Sequence, residues 1–268
     1  MVNDQGMSTV ERRRIILEEL RQNKQIYIPE LNRKLGVSEV TIRKDLRYLE
    51  KKNLLIRSRG GAMMMVKVGD DLSVEERKIL NLAQKKSIAV AAASLISEGD
   101  TIILDSGTTL MQLACLLKNF KELTIITNAL DIAVRLSESK NLKIIIPGGV
   151  FRHKSSSLVG AAAIENFRMY RADKYFVSAD GINSEGLFTS NLEEGQIAKM
   201  IMSHAKENIV LVDSGKFDRT GTINFAPLSK IHTLITDKKI AESHYHYLND
   251  SGIKVILATA NEKNNYRP

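Results

Sequence analysis

Residues 105–109, Asp105-Ser106-Gly107-Thr108-Thr109, carry groups that could bind an anion. They follow a short apolar run and precede an amphipathic stretch, so a strand would deliver them to the start of a helix. A helix start presents free backbone N–H groups and the positive end of the helix dipole, which is the chemistry that a phosphorylated ligand needs. Similar turns also join strands to helices where nothing binds, so this segment alone leaves a plain connection open.

Four other apolar runs also end in polar or glycine-bearing residues. They are followed by Thr127-Asn128, Pro147-Gly148-Gly149, Asp180-Gly181 and Asp213-Ser214-Gly215-Lys216. In an open parallel sheet, the loops at the carboxyl ends of the strands share one rim, and ligands bind there. Each loop taken singly could be a turn or, at Asn128, a helix cap. Together they predict a site for a small, hydrophilic, anionic ligand.

Seven short apolar runs are the candidate strands that would position these loops. They are TIIL, LTIIT, KIIIP, KYFVSA, NIVLV, HTLIT and KVILA, and helical patterns such as residues 129–139 and 192–206 separate most of them. Continuous apolar strands that alternate with helices indicate a parallel sheet covered on both faces. We therefore expect the larger, C-terminal part of the chain to be an α/β domain.

Length and composition indicate a folded, reduced protein. The 268 residues suffice for two ordinary domains, and 43% hydrophobic with 26% charged residues is typical of globular chains. The single cysteine, Cys115, excludes an internal disulfide, which fits a reducing compartment. The N-terminus has no apolar signal region, and the most apolar run, SIAVAAASLI, is about half as long as a membrane span. We expect a cytoplasmic protein with no membrane partner.

The positive charge is concentrated in the N-terminal quarter of the chain. Residues 1–61 hold 14 Lys and Arg against 8 Asp and Glu, whereas the remaining residues hold 25 against 23. Such a patch favours a polyanion such as nucleic acid. A solvated basic helix face would give the same count.

The same quarter has the pattern of a helix-turn-helix. Residues 9–23 show helical apolar spacing, Pro29 suits the first turn of a second helix, and Gly36 suits its end. Ser38 is a suitable N-cap for a longer basic helix over residues 39–53. A short helix, a tight turn and a longer basic helix predict that the latter lies in the major groove of DNA.

The candidate DNA contacts lie off the apolar stripe of the third helix and on the hairpin that follows it. On and before the helix they are Ser38, Glu39, Thr41, Arg43, Lys44 and Arg47. The segment LLIRSRGGAMMM predicts two short strands around Gly60-Gly61, and Arg57 and Arg59 would make it a wing beside the recognition helix. An ordinary helical bundle is the alternative, but it does not account for the clustering of basic residues there.

An ordered set of motifs resembles the DeoR family of bacterial transcriptional regulators over almost the whole chain. VSEVTIRKDLRYLEKKNLLIRSRGGA is similar to the family's winged helix, and DSGTTLMQLA, TN, PGGVFR, SLVG, ADGI and VDSGKF are similar to its C-terminal sensor domain. The resemblance implies a regulator, usually a repressor, that responds to a sugar phosphate and binds operator DNA as an oligomer. It also implies a sensor fold similar to ribose-5-phosphate isomerase and glucosamine-6-phosphate deaminase.

The resemblance to isomerases raises an enzyme as the alternative function. Where those enzymes have Asp-Gly-Ala-Asp, this chain has Asp180-Gly181-Ile182-Asn183, and an amide cannot exchange a proton near neutral pH. The enzymes' lysine falls near Thr189 and their catalytic glutamate near Ala198. The register is open by a few residues, so Glu193 or Glu194 could lie in the site, or could merely stabilise a helix start.

The phosphate-holding part of the isomerase pattern is kept. The resemblance implies a phosphate cradle of Ser106, Gly107, Thr108 and Thr109 with Lys216, in which Gly107 permits close backbone approach. The full set of expected effector contacts is Asp105, Ser106, Gly107, Thr108, Thr109, Thr127, Asn128, Gly148, Gly149, Asp180, Gly181 and Lys216. We predict a sensor with no catalytic residues.

The complete prediction is a winged helix-turn-helix over residues 1–66, a linker over 67–74 and a mostly parallel α/β effector-sensing and oligomerisation domain over 75–268. Its expected partners are double-stranded operator DNA, a phosphorylated sugar and further copies of the chain, without cofactor or metal. A phosphosugar isomerase or deaminase with a DNA-binding appendage and an effector-independent DNA-binding protein are the alternatives.

Overall fold

The computed structural model describes residues 7–23, 25–51, 55–64, 74–78 and 80–259. The chain divides into two compact units, Met1–Lys67 and Val68–Pro268. The expected linker over residues 67–74 lies, except for Val74, outside the described residues, so its boundaries stay a prediction.

The N-terminal unit contains three helices and a small antiparallel sheet. Its helices are α1 (Thr9–Asn23), α2 (Ile28–Leu35) and α3 (Glu39–Lys51), and its strands are β1 (Gln25–Tyr27), β2 (Leu55–Ser58) and β3 (Gly61–Met64). The predicted boundary signals are present. Pro29 lies in the first turn of α2, Gly36 ends that helix at φ 65°, and Ser38 Oγ accepts the Thr41 N–H at 3.2 Å.

One apolar face of each helix forms the core of this unit. Ile16 of α1, Leu31 of α2, and Ile42 and Leu46 of α3 are all buried there. The hairpin of β2 and β3 matches the expected wing, and β1, which the sequence did not indicate, adds a third strand beside β3. Gly61 makes this possible, because a Cβ there would lie 2.0 Å from the Ile26 carbonyl oxygen.

The C-terminal unit is built on a seven-stranded sheet. Its strands are β4 (Thr101–Leu104), β5 (Leu123–Thr127), β6 (Leu142–Ile145), β9 (Lys174–Val177), β12 (Glu207–Leu211), β14 (Thr233–Asp237) and β15 (Lys254–Ala258). They lie in the order β15-β14-β12-β9-β4-β5-β6, and every neighbouring pair is parallel. The seven predicted strands and their parallel arrangement are therefore confirmed.

Helices cover both faces of this sheet. The helices of the described part of this unit are α4 (Val74–Lys78), α5 (Leu82–Ala93), α6 (Thr108–Leu117), α7 (Leu130–Leu136), α8 (Ala161–Arg168), α9 (Leu192–Met202) and α10 (Glu242–Asp250). One core layer contains Ile88, Leu113 and Phe176, and the other contains Tyr175, Ile197 and Val210. Adjacent residues Tyr175 and Phe176 of β9 thus point to opposite faces, as expected for a strand buried on both sides.

Two small antiparallel sheets lie outside the sequence prediction. One pairs β7 (Val150–Arg152) with β8 (Ser157–Val159), and the other contains β10 (Gly181–Asn183), β11 (Gly186–Thr189) and β13 (Ile223–Ala226). Both interrupt the simple alternation of strand and helix. Two single turns of 3₁₀ helix, Ser214–Lys216 and Leu228–Lys230, complete the unit.

Candidate functional site

The parallel sheet brings the five predicted loops to one rim. Because β12, β9, β4, β5 and β6 are consecutive neighbours and all run the same way, the residues that follow each of them lie at the same edge. The loop after β9 lies between the loops after β4 and β12. This is the arrangement that the sequence predicted.

The loop after β4 leads directly into α6. Gly107 is the N-cap of α6 at φ 135°, a conformation that L side chains rarely adopt, and no side chain of the described residues caps the helix. Ser106 donates its N–H to Asp105 Oδ1 at 2.7 Å, and Thr108 and Thr109 are both largely buried. The start of α6 therefore offers backbone N–H groups that no N-cap side chain accepts.

Asp105 is partly exposed but has an altered acidity. Desolvation by the surrounding protein raises the pKa of Asp105 to about 7, and the Glu194 carboxylate acts in the same direction, against the hydrogen bond from Ser106. The hydroxyl group of buried Tyr175 interacts with this carboxyl group. Burial raises the pKa of the Tyr175 hydroxyl well above its ordinary value. Asp105 can therefore exchange a proton near neutral pH.

Asp180, after β9, is a carboxylate that three hydrogen bonds hold in place. Its Oδ2 accepts the Ser190 N–H at 3.0 Å, the Ser190 hydroxyl at 2.9 Å and the Thr189 hydroxyl at 3.4 Å. Burial alone would raise the pKa of Asp180, but the charges of Lys216 and Arg77 bring it below its ordinary value. Asp180 is thus a carboxylate that the charges of Lys216 and Arg77 keep ionised.

Lys216 follows β12 on a short turn that several hydrogen bonds hold in place. Asp213 Oδ1 accepts the Gly215 N–H at 3.1 Å, and Asp237 accepts the Ser214 N–H at 2.8 Å and its hydroxyl at 3.0 Å. Within the described part of the chain, no hydrogen bond or ion pair engages the Lys216 ammonium group. Burial lowers the pKa of Lys216, although Asp180 and Asp213 oppose the shift. This cation is available to an anionic ligand.

Two further cations near the rim were missed by the sequence analysis. Arg77 Nη1 of α4 lies 3.6 Å from Asp180 Oδ1, and Lys85 Nζ of α5 donates to the Arg77 carbonyl at 2.6 Å. Burial lowers the pKa of Lys85 to about 8. The Asp213 carboxylate opposes this shift, whereas the positive charges of Lys216 and Arg77 lower the pKa further. Neither residue follows a strand, so the strand-end pattern could not identify them.

Glu194 lies at the start of α9 and reaches the same region. Asn191 caps the helix by accepting the Glu194 N–H at 3.0 Å. Glu194 Oε1 accepts from Arg152 Nη1 at 3.4 Å and from the Ser157 hydroxyl at 3.3 Å, and its charge acts on Asp105. Of the two acids that the sequence left open, Glu194 is therefore the one electrostatically coupled to the rim, whereas Glu193 is exposed.

Several predicted effector residues have evident structural contacts. Thr127 and Asn128 are almost wholly buried; Thr127 Oγ1 accepts the Ala129 N–H, and Asn128 Nδ2 donates to the Leu158 carbonyl. A Cβ at Gly149 would lie 2.7 Å from the Val159 carbonyl oxygen.

The remaining two glycines likewise have structural reasons to be glycine. Gly148 adopts φ 86°, and a Cβ at Gly181 would lie 2.2 Å from the Arg219 carbonyl oxygen. These contacts shape the loops, and a direct contact of these residues with an effector stays a prediction.

The three positions compared with isomerases carry no proton-transfer group. Asn183 Oδ1 accepts the Glu185 N–H at 2.8 Å in the turn between β10 and β11, Thr189 contacts Asp180, and Ala198 is buried in the middle of α9. Among the described residues, no cluster of His, Cys, Asp and Glu has the arrangement of a metal site. None of the helices in the described ranges combines the length and hydropathy needed to cross a membrane.

In the N-terminal unit, α3 exposes the predicted recognition residues. Ser38, Glu39, Arg43, Lys44 and Arg47 are exposed, and Thr41 is half-buried. Arg43 pairs with Glu39 at 2.9 Å on the helix surface. Arg57 and Arg59 are exposed on the hairpin, where the Arg57 N–H donates to Glu50 at 3.3 Å. The basic face is therefore accessible to DNA.

The sequence analysis missed how α3 is fixed. Asp45, on the buried side of this helix, accepts hydrogen bonds from Arg12 Nε at 2.5 Å and Arg13 Nε at 2.7 Å. The Arg13 guanidinium also stacks on the Tyr48 ring at 3.6 Å. Two charged residues of α1 thus orient α3, the predicted recognition helix.

A helix-turn-helix unit followed by an α/β unit with a candidate ligand site is typical of regulators that bind DNA and a ligand with the same chain. The family model described as the DeoR-like helix-turn-helix domain matches residues 12–68, and that of the DeoR C terminal sensor domain matches residues 80–238. The chain belongs to the DeoR family of transcriptional regulators. It is therefore a DNA-binding transcriptional regulator and not an enzyme.

Two similar repressors support the same assignment over most of the chain. The lactose phosphotransferase system repressor of Lactococcus lactis subsp. lactis is 37% identical over 232 residues, which cover 85% of this chain and 91% of that protein. The HTH-type transcriptional repressor GlcR of Bacillus subtilis is 32% identical, covering 94% and 97%. Ribose 5-phosphate isomerase A from Methanocaldococcus jannaschii superposes on half of this chain, with 18% identity, 53% coverage of that chain and a TM-score of 0.38.

Proposed function

We propose that this chain is a repressor of carbohydrate-metabolism genes and that a phosphorylated sugar bound at the rim of its sensor unit controls it. The observation that carries the proposal is the ammonium group of Lys216, which has no hydrogen-bond or ion-pair partner among the described residues and lies on the same rim as the start of α6. A phosphate dianion accepts strong hydrogen bonds from an ammonium group and from the free N–H groups of a helix start. The similarity to the lactose phosphotransferase system repressor of Lactococcus lactis supports a sugar-related role.

The phosphate and the sugar would use different parts of the rim. The phosphoryl group would bind the cradle of residues 106–109 and Lys216, while carboxylates such as Asp105 and Asp180 would accept hydrogen bonds from sugar hydroxyl groups. The remaining predicted contacts, at Thr127, Asn128, Gly148, Gly149 and Gly181, would complete the walls. In the DNA-binding unit, the residues from Ser38 to Arg47 would contact the major groove, and Arg57 and Arg59 would contact the backbone or the minor groove.

The regulator would act as a homo-oligomer. A helix-turn-helix that recognises a two-fold operator needs at least a dimer. Effector binding would release DNA if the sugar phosphate binds more tightly to the state with low DNA affinity.

One experiment tests the proposal as a whole. The purified chain is mixed with pentose 5-phosphates, hexose 6-phosphates, hexose 1-phosphates and their unphosphorylated parents, and both its melting temperature and its affinity for an operator duplex selected in vitro are measured. We expect one phosphosugar to raise the melting temperature and to change DNA affinity, while its parent does neither. Equal effects of a sugar and its phosphate would contradict the proposal.

A further inference from the structure

The hairpin of β7 and β8 has a strand edge that no strand of the described residues covers. Strand β8 pairs with β7 on one side, and on its other side Ser157 forms a bridge with Ala129. Within the described part of the chain, β7 has β8 as its single strand neighbour. An edge strand of this kind presents main-chain donors and acceptors to any further strand that can reach it.

The register of the hairpin shows which main-chain groups point outward. The Leu158 N–H donates to the Asn128 carbonyl at 2.8 Å, and the Leu158 carbonyl accepts from Asn128 Nδ2 at 3.2 Å. The main-chain groups of Leu158 therefore point away from β7. Phe151 lies directly opposite Leu158, so the two residues exchange no main-chain hydrogen bond, and the Phe151 N–H and C=O point to the open edge.

This open edge is apolar. Val150 is 68% exposed and Phe151 is 40% exposed. Proteins commonly protect an edge strand with lysine or proline, but the sequence of β7 is VFR, and its one charged residue, Arg152, pairs with Glu194 at 3.4 Å. Such an edge favours pairing with another strand over exposure to water.

The two ends of the edge carry opposite charges. At the Val150 end, a Cβ at Gly160 would lie 3.8 Å from Val150 Cγ2 and 3.9 Å from Glu193 Oε1, so the exposed Glu193 carboxylate lies near Val150. At the other end, the turn that follows β7 holds the exposed residue Lys154. A second hairpin that runs antiparallel beside the first would place the basic end of each copy against the acidic end of the other.

We propose that β7 pairs with β7 of a second copy of this chain, antiparallel and across a two-fold axis at Phe151, in a continuous sheet of the order β8-β7-β7-β8. The inference rests on the proposed function, because it names the surface through which the homo-oligomer forms. Each Phe151 donates its N–H to the carbonyl of the other, and Lys154 lies near the partner's Glu193. A two-fold interface uses the same patch on both copies, and a two-fold operator requires this symmetry.

Cross-linking through a single cysteine tests the pairing. In a full-length Cys115→Ser background, which removes the one native cysteine, Phe151→Cys and the control Val134→Cys are oxidised with copper phenanthroline. Hydrogen-bonded residues of an antiparallel pair have Cα atoms about 5.5 Å apart, a distance that a disulfide spans. We expect Phe151→Cys to form mostly disulfide-linked dimer. Val134→Cys, at a position that is 70% exposed on α7, should stay mostly monomeric on the same gel.

Two substitutions at Phe151 separate main-chain pairing from apolar contact. Phe151→Pro removes the outward N–H without removing a hydrogen bond to β8, and Phe151→Glu places like charges opposite each other. Each should raise the dimer dissociation constant in sedimentation experiments by about tenfold or more. Val134→Glu is the matched control and should associate as the wild type does. Circular dichroism should be unchanged in all three variants.

Charge reversal tests the contact between the ends of the hairpins. Lys154→Glu and Glu193→Lys should each weaken the dimer, because each replaces an attractive pair with a repulsive one. The double variant restores attraction with reversed polarity and should recover much of the lost affinity. A double variant no better than the single ones would overturn the antiparallel register.

The outcomes separate this interface from the proposed function. If the wild type associates but Phe151→Cys cross-links no more than Val134→Cys, or if both Phe151 variants associate as the wild type does, the β7 interface is wrong and the proposed function stands. A wild type that stays monomeric at the concentration at which it binds its operator overturns both the interface and the proposed homo-oligomer. Slow amide exchange at Phe151 in the dissociated monomer would show that a segment of the same chain covers β7, and would also overturn the interface.

Discussion

Arg12 of α1 and Asp45 of α3 form an ion pair of 2.5 Å in which the Asp45 side chain is only 2% exposed. Arg13 completes the arrangement from the same helix at 2.7 Å. Since Asp45 lies one residue from Lys44 and two from Arg47, this pair fixes the helix that presents the predicted DNA contacts.

Removing the Asp45 carboxylate should destabilise the N-terminal unit. Asp45→Ala leaves the buried Arg12 guanidinium without its anion, which typically costs about 3–5 kcal/mol. Faster amide exchange in α3 of the full-length chain and weaker operator binding are the measurements. Glu39→Ala, which breaks only the exposed pair with Arg43, should leave α3 exchange nearly unchanged.

Substitutions on the exposed face of α3 should weaken DNA binding without affecting folding. Arg43→Ala and Arg47→Ala should each cost about 1–3 kcal/mol of operator affinity if the side chain contacts a guanine. If it contacts phosphate instead, the loss should be similar on all sequences and the salt dependence should flatten by about one ion. Gel-shift titrations at several salt concentrations distinguish the two kinds of contact, with Lys140→Ala in the sensor unit as the control. Unchanged affinity in the double variant would disprove the recognition-helix assignment.

The phosphate cradle predicts a super-repressed phenotype. Lys216→Ala and Thr108→Val should each lower effector affinity, because they remove an ammonium group and a hydroxyl donor, while DNA binding by the effector-free chain stays nearly unchanged. Calorimetry with the phosphosugar and its parent measures the loss. If the loop is only a connection, these variants lose stability but bind the effector as the wild type does.

Asp105 predicts a pH dependence of stability. Its folded pKa, about 7, lies above the ordinary value of 3.8, so the folded chain binds the proton more tightly than the unfolded chain. Stability from this group is full below pH 3.8, decreases as the pH rises and is lost above pH 7. Relative to wild type, Asp105→Asn should therefore gain stability as the pH rises through this range and keep the gain above pH 7, by at most roughly 4 kcal/mol. Urea unfolding of both proteins across this pH range measures the difference in stability. A difference that does not change with pH would contradict the prediction.

Gly181 provides a test of a structural contact against a ligand contact. Gly181→Ala would place a Cβ 2.2 Å from the Arg219 carbonyl oxygen, so we expect a cost of about 1–3 kcal/mol in stability. Gly252→Ala, which has open space and a φ of 77°, should cost about 1 kcal/mol from backbone conformation alone. The stabilities of the two variants are compared by their denaturation midpoints. A fully stable Gly181→Ala with reduced effector affinity would favour the direct contact.

The large sheet could be predicted from sequence because its strands are continuous apolar runs. The apolar runs that contain Ile103 and Ile126 can be recognised as strands without knowing which strands lie beside them. The helices between these runs indicate that the strands are parallel. Strands β10, β11 and β13 could not be predicted, because their sequences, GIN, GLFT and INFA, are not continuous apolar runs and β11 pairs with residues such as Ala226, distant in sequence.

Charged residues with tertiary partners were the other limit. Asp45 lies among basic residues and would be expected to face solvent; its burial depends on Arg12, which is 33 residues away. Arg77 lies on a helix of five residues, too short for any periodic signal, and acquires its contact with Asp180 only in the folded unit. Strand-end loops can be recognised from local patterns, whereas these partners cannot.

The order of strands also has a consequence for synthesis of the chain on the ribosome. Strand β4 is bordered by β5 on one side and by β9 on the other, so β4, β5 and β6 can pair while one edge of β4 still lacks its neighbour. That edge stays open until residues 174–177 have emerged, and an unpaired apolar edge is a template for aggregation. A nascent chain stalled before β9 would therefore carry the whole helix-turn-helix sequence and three of the seven strands, with that edge exposed to aggregation.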